Sequence, residues 1–257
     1  MKRSGLKKSI ILVITGFFCL NAYSQNAAEI LAKLDNVLFA PKDKQGVVTI
    51  ILKDKTGKEK VKEATMMQKG KDKKLYRYTK PESQAGIATL ALPGDVMWLY
   101  LPALGKPKKI SRLAKDDSFN NTDFSYEDMA AIPYSERYTP ELLSSEDGYY
   151  VLNLISKVAV SDYARIVARI HNRQFYPLSM DYYDAKGKKI KEATYKYDKI
   201  GLYWNASEIL MTDIEKDHST KILLKEMKFD QGLSDDLFLV EKMKPAESKK
   251  QTADTKL

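Results

Sequence analysis

The chain has 257 residues, a formal net charge of +9 and one cysteine, Cys19. Four of the positive charges, Lys2, Arg3, Lys7 and Lys8, sit at the N-terminus, so the remainder carries nine less four, or +5, with its lysines dispersed among acids. That pattern argues against a focused nucleic-acid surface. Once the segment holding Cys19 is removed, there is no disulfide, thiol nucleophile or thiolate metal site to build on.

Residues 1–24 read as a cleavable signal peptide. A basic start leads into an apolar run from Ile10 to Leu20, shorter than the ~20 residues a spanning helix needs. Ala22-Tyr23-Ser24 then has the small-x-small form of a cleavage site, with the cut after Ser24. Phe17 and Phe18 beside Cys19 argue against lipidation. Residues 25–244 are expected to form one domain, and 245–257, polar and free of aromatics, a disordered tail.

From Ala27 to Ala40, Ile30, Leu31, Leu34, Val37 and Leu38 recur at helical spacing and Pro41 stops the helix. Strands follow. Gly46 to Lys53 turns through Asp54-Lys55-Thr56-Gly57 into a partner ending near Gln68, and Leu75 to Lys80 comes next. Ile87 to Leu92 and Val96 to Leu101 pair across Pro93-Gly94-Asp95. The second half repeats the habit: Tyr149 to Ser156, Ala164 to Ile170, Leu178 to Tyr183, Lys189 to Tyr197, Trp204 to Thr212 and Thr220 to Phe229, with Leu233 to Val240 as a short closing segment. Successive strands joined by tight polar turns describe an antiparallel meander.

The stretch from Asp95 to Met129 is the most informative. Its strand is apolar on both faces, with Val96, Trp98 and Tyr100 on one and Met97, Leu99 and Leu101 on the other, so both faces require cover. A basic turn, Lys106 to Lys109, and a polar stretch, Arg112 to Thr122, lead to Asp123–Ile132. There Phe124, Met129 and Ile132 form the apolar face of a short lid helix, with Asp123 as a plausible cap. A large antiparallel sheet twists and curls, so its inner face lines a trough. The expected fold is therefore α+β and mainly β: an unclosed barrel with an N-terminal helix and a short lid helix across its mouth.

Such a trough suits an apolar ligand. The lining expected for it is Ile50, Leu52, Met66, Leu90, Leu92, Met97, Leu99, Leu152, Leu154, Ile166 and Ile170, plus Phe124, Met129 and Ile132 from the lid. Met66, Met97 and Met129 suit variable chains because thioethers repack easily. Which face of a doubly apolar strand points inward stays open, and a one-residue slip would exchange the whole set. Lys106, Lys108 and Lys109 either keep a hairpin tip soluble or, as a rim, meet lipid phosphates or an acidic partner.

Catalytic constellations are not evident. His171 and His218, the two histidines, lack metal-ligand spacing, and no nucleophile elbow, P-loop or dinucleotide fingerprint occurs. Asp213, Glu215 and Asp217 read as a solvated turn, and Asp123, Glu127 and Asp128 as helix capping and lid solvation. Neither a catalytic residue, a metal nor a cofactor is expected.

Several of these segments resemble one family. Trp98-Leu99-Tyr100-Leu101-Pro102-Ala103, the basic turn Lys106 to Lys109, and Asp123-Phe124-Ser125-Tyr126-Glu127-Asp128 are similar to the outer-membrane lipoprotein-sorting proteins with the LolA/LolB-like fold. The likeness continues through Tyr176-Pro177-Leu178, the hairpin Asp184 to Lys188, Trp204, Ile209-Leu210-Met211 and Leu233 to Phe238. Asn121-Thr122 departs from the small Gly-Ser often found before the lid. The resemblance implies a periplasmic monomer that receives lipoprotein acyl chains or another lipid. Its donor would be an RND-type exporter or a lipoprotein-releasing transporter, and its acceptor would lie at the outer membrane, with no enzymatic activity. The alternative is a periplasmic sensor or scaffold that binds a protein partner through the same fold.

Overall fold

The computed structural model describes residues 27–94, 96–110, 119–130, 132–159 and 161–244. The expected signal peptide and tail lie outside these residues, as does most of the polar stretch beginning at Arg112.

Helix α1 covers 27–38. Ala27, Ile30, Leu31 and Leu34 are buried while Ala28, Glu29, Ala32 and Lys33 are exposed, the periodicity of a helix laid on an apolar surface. Thirteen strands follow: β1 Asp43–Lys53, β2 Glu59–Lys69, β3 Lys73–Lys80, β4 Ala88–Leu92, β5 Val96–Tyr100, β6 Pro107–Ile110, β7 Tyr138–Ser145, β8 Tyr149–Ser156, β9 Arg165–His171, β10 Pro177–Tyr183, β11 Lys189–Ile200, β12 Tyr203–Asp213 and β13 His218–Phe229. All lie in one antiparallel sheet ordered β6-β5-β4-β3-β2-β1-β13-β12-β11-β10-β9-β8-β7, and the sheet is not closed into a barrel.

This order makes two meanders, β1 to β6 and β7 to β13, joined where β1 pairs with β13 and Ile50 meets Ile222. The register slips between Gln45 and Val47. The extra residue is on β13, where Glu226 has a positive φ, and Gly46 faces that bulge because nothing larger fits: a Cβ there would lie 2.3 Å from Met227 Sδ and 2.8 Å from the Lys225 carbonyl. The two free edges are β6 and β7, consecutive in sequence. The chain between them carries α2 (Tyr126–Met129) and α3 (Tyr134–Arg137).

The inner face, α1 and the lid segment share one core, which includes Leu31, Leu34, Ile50, Met66, Phe124, Met129, Leu152, Ile166 and Met211. Asp35 of α1, itself buried, accepts the N–H groups of Tyr134 and Ser135 at 2.8 and 2.9 Å, so it caps α3 from another element and ties the two helices together. A second cluster covers the outer face of β3 to β5, where Leu75, Leu90 and Tyr100 pack on Phe238 and Met243. This explains the doubly apolar strand. Met97 points into the main core, while Trp98 and Tyr100 point to the second cluster.

Three sequence expectations are corrected. The segment Leu233 to Val240 is not a strand; it forms 3-10 turns at Asp235–Phe238 and Val240–Met243 that make the second cluster. Most of the basic turn is the edge strand β6, and β7, unexpected from the sequence, is the other edge.

Candidate functional site

A cavity of ≈ 190 Å³ remains between the inner face, the end of α1 and the lid segment. Leu38, Val48, Met66, Met211, Ile222 and Leu224 give it an aliphatic wall, Tyr76, Tyr134, Tyr182, Tyr195, Tyr197 and Trp204 an aromatic one, and Phe124, Met129 and Ile132 its roof. A dry cavity of about 150 Å³ is large enough for one benzene. This one therefore has room for a short stretch of hydrocarbon while α1 and the lid occupy the rest of the trough.

Of the lining expected from sequence, Met66, Phe124, Met129 and Ile132 are at the cavity. Ile50, Leu52, Met97, Leu152, Leu154, Ile166 and Ile170 are buried in the same core but pack away from the hollow. Leu90 and Leu92 belong to the second cluster, and Leu99 is half-buried in neither. Lys106 lies in the turn before β6 and Lys108 and Lys109 on that strand, all three exposed and none at the cavity. Lys44, Lys74 and the tyrosines were missed as lining residues, although alternation marks them: Lys74 is in phase with Tyr76 and Tyr78, and Lys44 with Val48 and Ile50.

The segment Asp123–Ile132 is fixed largely by polar bonds. Asp123 is buried, its carboxylate receives the Thr220 hydroxyl at 2.6 Å and meets His218 Nδ1 at 2.8 Å, and its N–H donates to Thr220 Oγ1 at 2.9 Å. Its carbonyl accepts from Lys191 Nζ at 2.7 Å. Phe124 then dips into the cavity. Ser125, not Asp123, is the N-cap of α2, and it exchanges bonds with Asp128 in a capping box. Tyr126 stands edge-on to Phe119, 5.5 Å between ring centres.

The two acids of α2 face protein, not solvent. Glu127 accepts from the Tyr138 hydroxyl at 2.9 Å, the Asp162 N–H at 3.0 Å, Ser161 Oγ at 3.0 Å and Arg137 Nη1 at 3.2 Å. Asp128 accepts from the Tyr163 hydroxyl at 2.7 Å. Burial pushes the Asp128 carboxyl up, against the opposing pull of Lys191 and the Ser125 and Tyr163 donors. Among the described residues no group of His, Cys, Asp and Glu is placed to hold a metal ion.

Two cavity lysines stand apart from this network. Burial, reinforced by the charge of Lys74, pushes Lys44 down to about 7. Burial and then Arg137 push Lys74 down to about 8, with Asp128 opposing.

Fold and site together define a class: a curled antiparallel sheet that keeps an apolar hollow under a latched lid. The chain is similar to solved structures of like fold. One is a putative outer membrane lipoprotein-sorting protein domain from Vibrio parahaemolyticus, at 26% identity and a TM-score of 0.81, over 86% of this chain and 100% of the other. A DUF1329 family protein from Desulfovibrio piger gives 24% and 0.81 over 86% and 99%. A LolA superfamily protein from Nitrosomonas europaea gives 24% and 0.71 over 83% and 97%. No curated protein matches the sequence. A family model described only as that of an uncharacterized protein matches residues 70–245. The chain belongs to that family, and it shares its fold with the solved lipoprotein-sorting and LolA-superfamily domains.

Proposed function

We propose that this protein is a periplasmic carrier that takes acyl chains of lipoproteins or related lipids into its trough and passes them toward the outer membrane. The observation that carries the reading is the hollow on the inner face, roofed by Phe124, Met129 and Ile132 on a segment latched by polar bonds. Such bonds exchange with water when the segment swings out, so each costs only about 1 kcal/mol net, more where a charge is involved. An incoming chain then replaces Phe124 and Met129 against the same wall.

Each buried methylene contributes about 0.8 kcal/mol, so a chain of roughly fifteen carbons gains on the order of 12 kcal/mol over water. Unassisted release at that depth is slow, and transfer has to run directly to an acceptor.

Protein purified from its native compartment should yield stoichiometric acylated material on organic extraction and mass spectrometry, and emptied protein should take it up again from vesicles. Protein that is empty as isolated, takes up nothing and instead retains a signalling partner would replace this reading with that of a sensor.

A further inference from the structure

A trough built only for hydrocarbon does not account for Lys44 and Lys74. Both line the cavity, and among the described residues neither has a carboxylate within ion-pair distance. Lys44 Nζ has the Leu38 carbonyl at 3.5 Å, at the C-terminal end of α1, and Lys74 Nζ stands 5.2 Å from the Tyr76 ring centre. The cationic Arg137 beside them is already matched by Glu127 at 3.2 Å. Asp128, the one acid of the lining among the described residues, is engaged by the Ser125 N–H and the Tyr163 hydroxyl.

Two lysine amines are thus held in an apolar, aromatic hollow with little among the described residues to balance their charge, so their ammonium forms are unfavourable until an anion arrives. The partial negative charge at the end of α1 eases the empty state without neutralising it. We infer that the cavity binds an amphiphile with an anionic head, carboxylate or phosphate, received between Lys44 and Lys74 while its hydrocarbon chain displaces Phe124 and Met129. This rests on the carrier reading and narrows its cargo.

Among the described residues the charged groups around the two lysines are Asp128 from α2 and Arg137 from α3. The phenols of Tyr76, Tyr134, Tyr182, Tyr195 and Tyr197 are all pushed upward by burial and stay neutral near pH 7. An arriving anion therefore draws protons back onto the lysines, and binding weakens as pH rises above about 7.

The test titrates the full mature protein with laurate, dodecyl phosphate, methyl laurate and dodecanol below their aggregation limits, reading fluorescence of Trp204 in the cavity wall. The anionic probes should bind on the order of ten- to a hundredfold tighter than the neutral ones. That ratio should fall toward one in K44M/K74M. Calorimetry of the unaltered protein in buffers of different ionisation enthalpy should show proton uptake on laurate binding at pH 8, which needs no variant to fold. Equal affinity for charged and neutral probes, with no proton uptake, would overturn this inference and leave the carrier reading intact. Failure of all four probes to bind would overturn both. A preference between laurate and dodecyl phosphate would assign the head group.

Discussion

Glu127 shows how much of the lid depends on single side chains. Its carboxylate satisfies Arg137, Tyr138, Ser161 and the Asp162 N–H in a setting where Glu127 and Arg137 side chains are 17% and 15% exposed. Glu127→Ala leaves a buried guanidinium without its counter-charge, and urea denaturation should register a loss of roughly 3–5 kcal/mol. The cavity lysines act in the opposite sense. Their folded values, about 7 and about 8, lie below the ordinary 10.5, so between those limits the unfolded chain binds more protons and stability rises with pH. The stability advantage of K44M/K74M over the parent, followed by denaturant midpoint, should be largest below pH 7 and shrink toward pH 10.

At the scale of elements, α2 is a single turn of four residues, too short to persist without its caps. Ser125→Ala should cost about 1 kcal/mol and show first as faster hydrogen exchange at Asp128 and Met129, with the strands unaffected. The sequence made α1 and most strands legible because amphipathic spacing and turn residues agree there. Its failures fall at the sheet's edges. Strand β6 holds Pro107 with two exposed lysines, and β7 carries Pro140, the charged and proline-bearing features that protect an open edge from pairing and erase the pattern of a strand. The lining was harder to read for a different reason: alternation says which residues face inward, but not which of them pack against α1 and which are left beside the hollow. Thus Ile50 and Met66 share the inner face of adjacent strands, yet only Met66 borders the cavity. Likewise Asp123 looked like a cap because the distant residues that hold it, His218 and Thr220, come from the last strand.

Across the whole molecule, the β1 and β13 pairing joins two meanders into one curled sheet, and residues 119–130, from the connection between the two free edges, lie over the inner face as a strap. The trough is nearly filled in this state, so on the proposed carrier reading uptake of a full chain requires the strap to leave. Cys19 is the only cysteine and lies in the expected signal peptide, so a pair introduced into the mature chain bridges without competition. Asp123 and Thr220 already touch. The most direct measurement is uptake of a fluorescent acyl probe by the variant carrying Asp123→Cys and Thr220→Cys, oxidised and then reduced. The account predicts a folded protein that takes up nothing while bridged and recovers on reduction, whereas equal uptake in both states would contradict it.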